Sequence, residues 1–186
     1  MAAKKASAKR AAKTAQPVRA ASKAKTKPAQ SAAAKGEGST APAFALQDDQ
    51  SREVTSKSLA GKPYVLYFYP KDDTSGCTRE ACDFRDNLAT FNSRKVRVLG
   101  VSPDSVESHV KFKKKYGLTF TLLSDPDKVL ANAYGVWVKK QNYGREYMGI
   151  ERSTFVVDKT GTVRAAFRKV RVDGHVAKVL EQIAAG

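Results

Sequence analysis

Cys77 and Cys82 are the only two thiols among the 186 residues, and they stand five positions apart in the stretch Tyr64 to Arg85, YVLYFYPKDDTSGCTREACDFR. A thiol acts as a nucleophile or redox centre through its thiolate, so the question is what would keep one ionised. Two cysteines in so short a window argue against a disulfide-stapled secreted framework. They also lack third and fourth ligands at useful spacing, since His109 and His175 lie far off in sequence, so neither a metal nor a cofactor is expected. Both histidines are read as structural.

The elements on either side decide where Cys77 sits. Tyr64–Tyr69 is a run of aromatic and β-branched residues with a leucine, bounded by Pro63 and Pro70, which reads as a buried strand. Pro70 ends it. Asp72, Asp73, Thr74 and Ser75 offer side chains that can cap a helix start, and a helix is expected from Thr74 or Ser75 through Arg85. Cys77 then falls in the first turn, where backbone N–H groups lack intrahelical partners and the helix dipole favours an anion.

Pro70-x-x-x-Thr74-x-x-Cys77 resembles the active-site signature of the peroxiredoxins, and Cys77-Thr78-Arg79-Glu80-Ala81-Cys82 is similar to their bacterioferritin-comigratory, or peroxiredoxin Q, subgroup. The likeness continues in order through Gly100–Ser105, Ser108-His109, Leu122–Asp125, Tyr134–Trp137, Tyr143-Gly144 and Arg152–Phe155, covering residues 41–186. One position departs: the subgroup usually has Thr-Pro-Gly-Cys, and this chain reads Thr74-Ser75-Gly76-Cys77. Ser75 regains an N–H and a less constrained φ, which bears on rate more than on reaction type.

The resemblance implies an α/β, thioredoxin-like fold and a thiol peroxidase that reduces hydrogen peroxide and organic hydroperoxides, recycled by thioredoxin or a similar dithiol. It implies Cys77 as the nucleophile that becomes a sulfenic acid, and Cys82 as the resolving thiol. Thr74, backbone N–H groups near Gly76 and Cys77, and Arg152 would hold the peroxide. Pro70 would shield Cys77 and turn the chain, and Glu80 would orient Arg152 or an attacking group. Bland readings stand beside these: Thr74 as an N-cap, Arg152 as a surface charge, Glu80 as a first-turn acid, Cys82 as a structural cysteine.

Two magnitudes constrain the chemistry. Lowering a thiol pKa from about 8.5 to about 6.5 raises the thiolate fraction at neutral pH roughly twentyfold, while nucleophilicity falls roughly six- to tenfold. The net gain is a few-fold, so donors to the leaving oxygen must supply the rest. Residues i and i+5 of an ideal helix have Cα atoms about 8.6 Å apart, beyond the roughly 7 Å a disulfide spans. Two helical cysteines at this spacing bond only if the helix opens.

The formal charge of +16 is unevenly placed. Residues 1–40 contain ten Lys and Arg against the single acid Glu37, with no aromatic residue, and are expected to be a disordered basic tail. Three readings of it stand: a non-specific nucleic-acid contact through counterion release, a solubilising extension, and a transit peptide. No apolar run approaches the roughly 18 residues that would cross a bilayer, and no secretory signal is expected. The two rivals to the peroxidase are a nucleic-acid-associated protein and a catalytically weak thioredoxin-like scaffold. The expected state is a monomer in the cytoplasm, nucleoid-associated through the tail, or in the nucleus if the source is eukaryotic.

The remaining pattern predicts a hairpin of Phe44–Leu46 and Glu53–Thr55, and a core strand over Lys95–Val101. It places a helix over Ser105–Tyr116 capped by Asp104 and stopped by Gly117, then a strand over Thr119–Leu123. A helix over Asp125–Tyr134 would begin at Pro126. Strand segments Val136–Val138 and Tyr143–Ile150 would flank a Lys139–Asn142 connection, with Trp137 and Tyr143–Tyr147 serving mainly in packing. A hairpin of Ser153–Val157 and Thr162–Phe167 and a closing helix Val176–Ala184 complete a mixed sheet.

Overall fold

The structure is a computed structural model that describes residues 36–142 and 144–185. The expectations for residues 1–35, and those for Tyr143, lie outside the described residues.

Among the described residues, nine strands and five α-helices follow one another: β1 (Ala45–Asp48), β2 (Glu53–Thr55), β3 (Tyr64–Phe68), α1 (Ser75–Asp86), α2 (Leu88–Ser93), β4 (Arg97–Ser102), α3 (Val106–Tyr116), β5 (Thr121–Ser124), α4 (Val129–Ala133), β6 (Trp137–Asn142), β7 (Arg145–Ile150), β8 (Ser153–Val157), β9 (Val163–Phe167) and α5 (His175–Ala184). Seven strands form one sheet in the order β2-β1-β5-β4-β3-β8-β9, while β6 and β7 pair apart from it. β3, β4 and β5 run parallel, and β8 returns antiparallel to β3. This is the thioredoxin-like α/β arrangement with a mixed sheet.

All five residues of β3 are buried, as its uninterrupted apolar run requires of a strand covered on both faces. Alternation then sorts them. Leu66 and Phe68 join a core with Leu99, Val101, Tyr134 and Phe155, while Val65, Tyr67 and Tyr69 join another with Phe84, Phe91, Phe112 and Val179. Helices α1, α2, α3 and α5 therefore cover the second face, and Cys77 belongs to that cluster.

Gly100 is required by close approach. A Cβ there would lie 2.7 Å from Leu122 Cδ2 and 2.8 Å from the Tyr67 ring, both fully buried. Gly100→Ala should cost about 2 kcal/mol through overpacking, a fall of about 6 °C in thermal unfolding. An unchanged melting curve would show that the centre of the sheet repacks freely.

Several boundaries differ from the sequence pattern. Ser105, not Asp104, caps α3, its hydroxyl accepting from the Ser108 N–H, while the Asp104 carboxylate accepts from the Asp72 N–H and the Ser102 hydroxyl. Pro126 lies in a turn, and α4 begins at Val129 behind Lys128 with φ +56°. Asp125 still caps that helix from a distance, accepting from the N–H groups of Val129 and Ala131. Lys139–Asn142 is strand, paired with Arg145–Met148. Helix α2 had no distinct sequence signal. Residues 36–40, grouped by composition with the tail, run beside β9: Gly38 N–H donates to Val163 O, and Thr40 bridges Thr162.

Candidate active site

The first turn of α1 presents Cys77 where β3 hands over to the helix. Thr74 is the N-cap in extended conformation, and the first intrahelical bond runs from Thr78 N–H to Thr74 O. Cys77 is therefore the third helical residue, and its N–H and that of Gly76 are among the donors that α1 cannot satisfy internally. Cys77 is buried, at 2 % exposure, and these two N–H groups can donate to an anionic ligand held there.

The second half of the site arrives from the other end of the chain. Pairing of β3 with β8 sets Phe68 opposite Ser153, so Arg152 lies level with Tyr69 at the end of β3 from which the chain enters α1. Its Nη2 donates to Cys77 Sγ at 3.2 Å, and its Nη1 pairs with Glu80 Oε2. A Cβ on Gly76 would sit 3.4 Å from the same Nη2, so the guanidinium lies across both residues. One planar cation thus bridges a thiol and a carboxylate, as its fork of fixed donors permits.

Glu80 faces inward at 0 % exposure, one helical turn after Cys77. Burial pushes its pKa up to about 7 against the downward pull of Arg152. Across the same core, His175 sits edge-on to Phe84 and Phe167 and shares a 2.8 Å hydrogen bond with Thr154 Oγ1. Burial, reinforced by Lys178 and Arg152, pushes its pKa down to about 4.

These two groups give opposite pH dependences. Glu80 holds its proton in the native chain from about pH 4.5 to 7, so its contribution to stability is lost as pH rises through that window. His175 stays neutral where an unfolded histidine would charge, so its contribution is lost as pH falls from 6.5 towards 4. Between pH 4.5 and 6.5 the two contributions therefore oppose one another. Glu80→Gln should unmask a rise of about 3 kcal/mol with pH over this range, and His175→Asn a fall of similar size. Urea unfolding at stepped pH reads both, and two flat variant profiles would sink the assignment.

The other predicted residues are placed less tightly. Thr74 stands at the N-cap, yet its hydroxyl does not cap the helix; it donates to Lys71 O at 3.1 Å on the exposed side of the loop. Pro70 is exposed beyond β3 and turns the chain. Cys82 is half-buried, and both cysteines are free within the unbroken helix Ser75–Asp86.

Sequence reasoning missed what anchors the loop before Cys77. Asp72 does not cap α1. Its buried carboxylate accepts from Tyr69 Oη at 2.7 Å and Ser108 Oγ at 2.7 Å, and contacts His109 Nδ1 at 2.8 Å. Asp73, at φ +55°, takes Lys115 and Tyr116 instead. The loop is thus pinned to α3 on both sides of its turn. The only sequence trace of this was the pair Ser108-His109.

Known proteins are similar to this chain in sequence and in overall fold. The sequence model of the AhpC/TSA family matches residues 38–166. Peroxiredoxin Bcp of Bacillus subtilis is 51% identical over 146 residues, 78% of this chain and 93% of that protein. Peroxiredoxin Bcp of Xanthomonas campestris is 46% identical over 133 residues, 72% and 83% of the two chains. The solved Xanthomonas campestris bacterioferritin comigratory protein, studied for its alkyl peroxide reduction activity, matches with a TM-score of 0.74 and 43% identity over 76% of this chain and 90% of its own. A cysteine-to-serine variant of Xylella fastidiosa PrxQ gives 0.77 at 39% identity, over 81% and 96%.

Proposed function

Because the chain belongs to the AhpC/TSA family, in its Bcp/peroxiredoxin Q branch, and is a thiol peroxidase, we propose that Cys77 is its peroxidatic sulfur and Cys82 its resolving one. The observation that carries this is the 3.2 Å contact of Arg152 with Cys77 Sγ at the α1 N-terminus.

The Cys77 thiolate attacks the terminal oxygen of a hydroperoxide. The S–O bond forms as the O–O bond breaks, leaving Cys77–SOH and an alkoxide or hydroxide that takes up a proton. Arg152 and the free N–H groups of the first turn stabilise the charge moving onto the departing oxygen. Glu80 fixes the guanidinium plane. The Thr74 hydroxyl supplies a further donor once it leaves the Lys71 carbonyl.

The Cys82 thiol then attacks the sulfenic sulfur, forming a disulfide and releasing water. The spacing within α1 puts the two Cα atoms of a regular helix about 8.6 Å apart, so α1 must unwind to close the bond. An external dithiol of the thioredoxin type returns both cysteines to thiols.

Mass spectrometry after one equivalent of hydrogen peroxide tests the assignment. A loss of two hydrogens, mapped to a Cys77–Cys82 bond within one chain, is expected. The far-ultraviolet circular dichroism signal should fall as α1 opens. Oxidised protein with both thiols free, or with bonds only between chains, would refute the pairing.

A further inference from the structure

The pairing that builds the thiol end of the sheet also fixes what stands at its other end. β8 runs antiparallel to β3, with Ser153 opposite Phe68 and Val157 opposite Tyr64. Arg152 therefore lies where β3 leads to Cys77, and Asp158 and Lys159 lie beyond the opposite end, after about 13 Å of strand. There a groove of about 440 Å³ opens between the starts of β3 and β4, the β8–β9 turn and the end of α5. Pro63, Val96 and Ile183 give it an apolar wall, and Arg94, Lys159 and Arg164, all exposed, are its cations.

These cations are poorly matched by acids. Asp158, the acid lining the groove among the described residues, is occupied within its own turn, accepting from the Thr160 and Thr162 N–H groups at 2.8 and 3.0 Å. Arg164 Nε stands 4.0 Å from its other oxygen. Arg94 and Lys159 have no carboxylate within ion-pair distance among the described residues. The N-terminal segment joins the fold at the same place. Gly38 N–H donates to Val163 O and Ala41 N–H to Gly161 O, and Gly38 lines an adjoining groove with Arg164 and Gln182. Residues 1–35, which lead into this segment, carry ten Lys and Arg and no acid.

Unpaired cations gathered on one face hold diffuse counterions, which a phosphate backbone displaces with a gain of entropy. A single small anion fits less well, because the cationic donors are exposed rather than set into the groove. A lipid surface also fits less well, since lying in a membrane interface needs large apolar side chains beside the cations. The exposed large apolar residues Val110, Val129, Tyr147 and Met148 all lie outside the groove, and residues 1–35 contain no aromatic side chain.

We infer that the end of the sheet opposite Cys77 is a nucleic-acid-binding face, on which Arg94, Lys159 and Arg164 contact phosphates together with the lysines and arginines of residues 1–35. Such contacts reach the backbone and carry no base preference. Cys77 and Arg152, at the far end of β3 and β8, stay clear of the bound strand.

The test is fluorescence anisotropy of a short labelled DNA duplex of random sequence, titrated with the full chain at several salt concentrations. The logarithm of the binding constant should fall linearly with the logarithm of salt. Arg94→Ser/Lys159→Ser should lower that slope by about two and weaken binding about tenfold at low salt. Arg94→Lys/Lys159→Arg, which keeps both charges, should bind as the wild type does. Lys111→Ser/Lys114→Ser removes the same charge from exposed positions on α3, outside the groove, and should leave the slope near that of the wild type. Should Arg94→Ser/Lys159→Ser not fold, Arg94→Gln/Lys159→Gln carries the same expectation. Equal losses from the two serine pairs would show that binding follows net charge alone. An unchanged slope for Arg94→Ser/Lys159→Ser would show that residues 1–35 bind without the groove. Either result, or no binding at all, would overturn the inference. So would tighter binding to vesicles of phosphatidylcholine and phosphatidylserine than to the duplex, which would make this a membrane face.

Discussion

Cys77→Ser should lower peroxide consumption by about a thousandfold or more, with little change in melting temperature. A serine hydroxyl has almost the same shape, and Arg152 Nη2, 3.2 Å from the sulfur, can donate to it equally well. What is lost is the ionised nucleophile, because a hydroxyl without an adjacent base is weak at neutral pH. Cys82→Ser should behave differently. It should complete one turnover as fast as the wild type and then stall with a sulfenic acid on Cys77. A Cys77→Ser protein that still consumes peroxide, measured by ferrous-xylenol orange, would end the assignment.

The second large effect belongs to Arg152. Arg152→Met should reduce kcat/KM by about 100- to 1000-fold, the scale for removing one principal donor to a developing oxyanion. The same change strands Glu80, which is fully buried and has no other cation on it among the described residues; above about pH 7, where Glu80 is ionised, breaking such a pair typically costs about 3–5 kcal/mol. Arg152→Met combined with Glu80→Gln should therefore recover most of the stability and none of the activity. Arg152→Lys should recover little, since a point charge cannot span a sulfur and a carboxylate at once. Recovery of activity in the Met/Gln double variant would show that the guanidinium serves only to neutralise Glu80.

The two effects differ in how far they could be foreseen. Cys77 and its helical turn are local: a bounded apolar strand, a proline and capping residues lie within fifteen positions. Arg152 is 75 residues away, and its place is set by the register of β3 against β8. The misread elements also have local causes. Lys139–Asn142 is polar throughout and looks like a connection, but a hairpin outside the main sheet needs no alternating apolar face. Pro126 and Asp125 signalled a helix start, and the start came three residues later because a turn with Lys128 at positive φ intervenes.

Taken alone, the order of residues was enough to place the thiol at a strand-to-helix junction, to mark the β1–β2 and β8–β9 hairpins and the Gly117 stop, and to show that two cysteines five apart on one helix cannot bond without opening it. Those are matters of periodicity, capping and chain reach, all short-range. Folding decided the rest. It set which cation meets the sulfur, it pinned the loop through Asp72 to His109 rather than to α1, and it left Glu80 poised near neutrality in the core. Each depends on strand register and burial, which bring together groups whose separation along the chain carries no signal.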